Sequence, residues 1–143
     1  MKKNTLLLIS LVLVFSCSSN DSEFENVTPN LELLVNQWFF IESKDLRLPE
    51  GQQEYFANEC EQNRFIQFTA NGAFLEKFYY LHPNNGCIED GTINGTFELT
   101  NSTSLKLTES DGEVNLYEIR NINSNQLSIE YLKDKEIYTY KKN

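Results

Sequence analysis

Histidine is all but missing from this chain: His82 is the single one, set beside Pro83 in a polar stretch. That removes most histidine-centred chemistry, both catalytic triads and the clustered Cys and His sets that hold soft metals. A Gly-x-Ser-x-Gly elbow, a Gly-rich phosphate loop and a Cys–His nucleophile pair are missing too. The adjacent acids Glu89 and Asp90 precede Gly91 and read as turn residues. No enzyme activity, cofactor or metal is therefore expected. Bases are also scarce, 12 Lys and Arg against 21 Asp and Glu, for a net charge of −9. The acids are scattered, and without clustered Lys and Arg nucleic acid is disfavoured as a partner. No apolar run is long enough to cross a membrane. The longest, 6–15, is broken only by Ser10. At about 1.5 Å per residue it falls well short of a hydrocarbon core of roughly 30 Å.

That run addresses the chain rather than spanning a bilayer. Lys2 and Lys3 precede it, and it ends abruptly at Ser18-Ser19-Asn20-Asp21, so residues 1–16 read as a signal peptide. Val14-Phe15-Ser16-Cys17 resembles the lipobox of bacterial lipoproteins. The resemblance implies cleavage before Cys17 and a diacylglycerol joined to its sulfur as a thioether. Two or three acyl chains, at about 0.8 kcal/mol per buried methylene, make a stable anchor. The alternative is an ordinary secretory signal cut near 16–19, leaving Cys17 as a free thiol. Residues 17–30 are polar and acidic and read as a flexible tether. Asp21, Glu23 and Glu25 resemble the surface-export signal of Bacteroidota-type lipoproteins; a plain solvated linker is the other reading. The expected location is the outer membrane, facing the periplasm or the exterior, with membrane contact through the lipid alone. Loss of the signal leaves ten bases against 21 acids, a charge of about −11.

Cys60 and Cys87 are the remaining cysteines. In an oxidising compartment they are expected to pair. The loop so closed, roughly 28 residues, contributes about 3.5 kcal/mol in the chain-entropy picture. The competing reading is a metal pair completed by Glu59, Glu61 or His82.

Residues 31–143 form one domain, large enough for a single core. Leu31, Leu34 and Val35 share one side of a short helix over 31–35. Beyond it come eight extended runs: 38–44, 64–69, 73–81, 92–100, 104–110, 113–122, 126–132 and 136–142. Asn71-Gly72 and Asp111-Gly112 are hairpin turns. From the fourth run on, every turn spans two to four residues, which makes an antiparallel meander. Eight meandering strands avoid bare edges by closing, so an up-and-down barrel is expected, with an open sheet or sandwich as the alternative. Two connections are longer, 45–63 and 82–91, and both sit where a barrel mouth would be.

The short helix, Asn36-Gln37-Trp38, the long first loop, the hairpin Phe68-Thr69-Ala70-Asn71-Gly72-Ala73-Phe74 and the Cys60 and Cys87 pair resemble the lipocalin family. The closer likeness is to the lipocalin-like domains of small bacterial lipoproteins. That resemblance implies a cup closed at one end by Trp38 and holding a small apolar or amphipathic molecule. Alternation points Trp38, Phe40, Phe68, Phe78, Tyr80, Phe97 and Tyr117 into the interior as candidate ligand contacts, with Tyr138 and Tyr140 as further candidates. The same rings could simply fill the barrel. The expectation is thus a monomeric, lipid-anchored envelope protein binding a small hydrophobic ligand. The alternative is a filled-barrel interaction module that meets an envelope or host protein through 45–63 and 82–91. An internal pocket of some 300 Å³ or more would favour the first.

Overall fold

A computed structural model describes residues 31–143. The expected signal peptide 1–16, the expected lipidation at Cys17 and the expected tether 17–30 lie outside the described residues. The described residues begin with one helical turn, α1 (Leu31–Leu34), and continue into nine strands. These are β1 (Gln37–Asp45), β2 (Glu54–Phe56), β3 (Phe65–Phe68), β4 (Ala73–His82), β5 (Gly86–Leu99), β6 (Ser104–Glu109), β7 (Val114–Ile122), β8 (Gln126–Tyr131) and β9 (Glu136–Lys142). From β3 to β9 each strand pairs antiparallel with the next. The ring closes through a β1–β9 ladder that runs from Trp38↔Lys142 to Asp45↔Glu136. Eight strands therefore make the expected barrel, and the sheet and sandwich alternatives fall.

The ninth strand was not expected. β2 has three residues, all exposed, so it carries no alternation to read. It pairs with Glu42–Lys44 on the same edge of β1 that β3 occupies at Gln37–Phe39. The change of partner coincides with a bulge at Ile41, whose carbonyl accepts the Ala57 N–H at 2.9 Å. Beyond Lys77, β4 has no β3 partner and pairs with β5 alone. A seam is left there, which a single 3₁₀ turn (Glu61–Asn63) occupies.

The second long connection is also not a loop. Residues 86–91 belong to β5, paired with β4 out to His82↔Gly86. Only Pro83, Asn84 and Asn85 turn the chain. Gly86 takes the positive φ, 70°, that the turn demands. This ribbon runs past the barrel wall with little on either face, so it lacks the apolar alternation that marks a half-buried strand. His82 serves the turn: its Nδ1 accepts the N–H groups of Asn84 and Asn85 at 3.1 and 3.2 Å.

Strand direction gives the barrel two ends. α1 and the β3–β4, β5–β6 and β7–β8 turns close one of them. Leu34, Trp38, Phe68, Leu105, Leu127 and Ile129 are buried, most of them at this end. Each contributes roughly 1.5–3 kcal/mol through its removal from water. Trp38 Nε1 donates to the Leu34 carbonyl at 3.0 Å, and Asn36 Nδ2 donates to that of Leu33 at 2.9 Å, which seats the helical turn as a plug. Leu31 does not share the buried side expected for it, because a single turn presents Leu34 inward and leaves Leu31 half exposed. Partway along the wall, Gly95 is obligatory. A Cβ there would sit 2.0 Å from the Thr108 carbonyl oxygen and 2.9 Å from the Phe74 ring.

Candidate functional site

Inward positions recur every second residue along each strand, and their chemistry changes on the way to the open end. On β6 the inward series is Leu105, Leu107, Glu109; on β8 it is Leu127, Ile129, Tyr131; on β4 it is Phe74, Glu76, Phe78. At the open end this produces a cavity of about 200 Å³ instead of a filled core. Its aromatic walls are Phe74, Phe78, Tyr117, Tyr131, Tyr138 and Tyr140, and its charged residues are Arg64, Glu76, Glu109 and Glu113.

Arg64, just ahead of β3, and Glu76 form an ion pair within this wall. The arginine Nε and Nη2 both donate to Glu76 Oε1, at 3.1 and 2.8 Å. The guanidinium carbon also stands 4.6–5.2 Å from the ring centroids of Phe40, Phe78 and Tyr138. Aromatic faces attract a cation, and the attraction grows once water is excluded. Burial works against the Arg64 charge, but Tyr140 and Glu76 outweigh it and hold the guanidinium protonated. Burial lifts Glu76 above the ordinary carboxylate range, and Arg64 only partly offsets that.

A second polar chain runs along the β6–β7–β8 side. Tyr131 donates its hydroxyl to Asn115 Oδ1 at 2.9 Å, and Asn115 Nδ2 donates to Glu109 Oε1 at 2.7 Å. Burial, then the Glu113 and Asp111 charges, raises the Glu109 carboxyl, with Asn115 opposing. The carboxylates of Glu109, Asp111 and Glu113 come within 4.8 Å of one another on this hairpin. Tyr138 donates to Glu136 at 2.9 Å. The hydroxyls of Tyr117 and Tyr140 line the cavity without a hydrogen-bond partner among the described residues. Burial raises both phenols, so they stay neutral donors.

Outside this wall, at the seam, lies a more open hollow of about 460 Å³. It shares Arg64, Phe78 and Tyr138 with the cavity and adds Tyr55, Tyr80 and three acids, Glu61, Asp90 and Glu136. Tyr55 donates its hydroxyl to Glu61. The Cys60–Cys87 disulfide, Cα to Cα 5.2 Å, ties the 3₁₀ turn to the start of β5 beside this hollow. The metal-pair alternative for these cysteines falls with it.

The seven expected interior rings divide. Phe78 and Tyr117 line the cavity, and Phe40 packs on Arg64, Tyr138 and Tyr140 at its edge. Trp38 lies at the plugged end, while Phe68 and Phe97 meet edge-on, ring centroids 5.0 Å apart. Tyr80 is a correction. It shares a face with Phe78 but stands past the rim, 38% exposed, because alternation cannot tell where the barrel wall stops. Tyr138 and Tyr140 both reach the cavity. Sequence reasoning missed Arg64, Glu76, Glu109, Asn115 and Tyr131. A signal was present for Glu76, a charge midway between Phe74 and Phe78 on an inward face.

The profile of the family described as Lipocalin-like domain matches residues 34–129. No curated protein matches the chain in sequence. Among solved structures, a lipocalin-like protein from Bacteroides uniformis ATCC 8492 superposes with a TM-score of 0.55 at 12% identity, covering 77% of this chain and 98% of that one. An uncharacterized protein from Bacteroides eggerthii DSM 20697 gives 0.53 at 14% identity, covering 77% and 99%. At such identities the likeness is one of fold.

Proposed function

The chain belongs to the lipocalin-like domain family, and from that premise we propose that it binds a small amphipathic molecule at the open end of its barrel. The observation that carries the proposal is the cavity of about 200 Å³, walled by aromatic and aliphatic side chains with polar and charged groups among them. Such a lining suits ligand recognition, since rings supply contact area and a few polar groups fix orientation. The volume lies below the 300 Å³ set as the favourable mark, which limits the ligand's size. An apolar cavity of about 150 Å³ accepts benzene, so a ligand of one ring and a few further atoms fits here. The reading is of a binding protein without catalysis or cofactor, acting as a monomer.

The same proposal places the protein in the bacterial envelope, held by a lipid on Cys17. Its support is the run 6–15 and the Ser16-Cys17 step that follows. Native mass spectrometry of protein extracted from its own membranes tests the binding reading: a retained small molecule is expected, and a protein partner with no small molecule would overturn it. Cys17→Ser is expected to release the protein from membranes and abolish labelling by palmitate. Continued labelling would refute the anchor.

One observation favours the second reading, an interaction module. Tyr55 and Phe56 on β2 and Leu81 on the β4–β5 ribbon are 47%, 65% and 61% exposed. Exposed large apolar side chains suit contact with an envelope or host protein.

A further inference from the structure

We propose that the molecule held at the open end is a small organic cation, a protonated amine carried on an apolar body of about one aromatic ring. The inference rests on the small-molecule reading above and names its ligand class.

Charge makes the first argument. Three carboxylates line the cavity, those of Glu76, Glu109 and Glu113, against the single guanidinium of Arg64. The adjoining hollow repeats the balance, with Glu61, Asp90 and Glu136 around that same arginine. An arriving carboxylate would therefore meet an excess of like charge on either side. A cation meets a converging negative field, which raises its local concentration.

Arg64 is also largely engaged, and Nη1 is its one nitrogen that bonds no described residue. Two of its nitrogens are spent on Glu76, and three rings surround the guanidinium. An anionic ligand drawn to Nη1 would stand beside the Glu76 carboxylate and be repelled by it, and one that took the other two nitrogens would leave Glu76 buried and unpaired.

Vacant hydrogen-bonding capacity makes the second argument. Glu76 is only 7% exposed, yet both arginine bonds fall on Oε1. Its Oε2 accepts no hydrogen bond from any described residue, and since no buried oxygen is left unpartnered it opens onto the cavity. A neutral apolar ligand would expel water from that oxygen and supply nothing in return, which carries the full desolvation cost. An ammonium supplies N–H donors. The ring faces around it, Tyr117 and Tyr131 stacked at 5.1 Å among them, add cation–π attraction.

The test is calorimetric titration of the full chain at neutral pH with three probes of one size and shape: 2-phenylethylamine, 2-phenylethanol and 3-phenylpropionate. The amine is expected to bind about tenfold tighter than the alcohol, and the carboxylate most weakly. Glu109→Gln is expected to weaken the amine several-fold and the alcohol much less, with a thermal melt confirming that the variant is folded. Alcohol or carboxylate binding as tight as the amine would overturn the cation assignment and leave the small-molecule reading standing. Calcium that displaces the amine would overturn it in favour of a metal at the Glu109–Glu113 hairpin. Failure of all three probes to bind would overturn both.

Discussion

Follow β6 and β8 from the plugged end to the open one, and the inward side chains go from Leu105 and Leu127 through Leu107 and Ile129 to Glu109 and Tyr131. The strands, their pairing and their twist are continuous, yet one end is solid hydrocarbon and the other a cavity with an ion pair. The plugged end is what a small domain needs to stay folded. Trp38, Leu34, Leu105 and Leu127 have almost no contact with water there. The open end departs from that economy. It buries Glu76 at a cost Arg64 only partly offsets, and leaves two tyrosine hydroxyls without partners among the described residues. Within one barrel, then, stability and recognition are separated along the strand axis. A device placed at the open end, where it lowers stability, needs a reason other than folding.

The sharpest way to break the comparison is to weaken the end that carries stability. Trp38→Ala removes the largest fully buried side chain and its bond to Leu34. It is expected to cost about 4 kcal/mol, read as a lower urea midpoint at unchanged slope. A loss under about 1 kcal/mol would mean that the plug is not where stability resides. Next in size is the Cys60→Ser, Cys87→Ser pair, which opens the tie across the seam. The chain-entropy picture gives a loss of about 3.5 kcal/mol. Reductant is expected to bring the parent protein to the same midpoint and leave the double variant unmoved.

Third comes the ion pair. Arg64→Met strands the Glu76 carboxylate in a wall where it is almost fully buried, and is expected to cost about 3 kcal/mol. Adding Glu76→Leu removes the stranded charge, so the double variant is expected to recover most of that loss, since a packed apolar pair replaces a buried ion pair at little or no cost. Single and double variants of equal instability would show that Arg64 acts through its packing on Phe40, Phe78 and Tyr138 alone.

Much of the plugged end was legible in the sequence. Period-2 alternation put Trp38, Phe68 and Phe97 on inward faces, tight turns fixed the meander, and the aversion of strands to bare edges anticipated the β1–β9 closure. The open end was less legible, for reasons particular to its residues. Glu76 was read past because its neighbours on the same face, Phe74 and Phe78, look like core. Arg64 precedes its strand and gains meaning only once β4 lies beside it. β2 and residues 86–91 of β5 lie where few side chains are buried, so strand structure there leaves no apolar signature. The Tyr80 placement failed for the related reason that alternation gives a face and not a depth.

The smallest expected effect separates the two ends by pH. Glu109 has a raised carboxyl, lifted by burial and by Glu113 and Asp111. A carboxyl raised by folding favours the folded state while protonated, so its contribution is fully present below the ordinary value of about 4.5 and is lost as pH rises through the raised one. At neutral pH the charged Glu109 therefore detracts from stability. Glu109→Gln removes that charge and is expected to raise the Tm at pH 7 by about 2 °C. The gap to the parent should close as the pH is brought below the unfolded carboxyl range, where both side chains are neutral. Leu105→Ala, on the same strand at the plugged end, supplies the contrast. It is expected to lower Tm by an amount that does not vary with pH over this range, since its cross-strand neighbour Tyr117 stays neutral there. A Glu109→Gln gap that persists unchanged at low pH would show that the open end tolerates its acid without strain, and the functional reading of that acid would lose its energetic support.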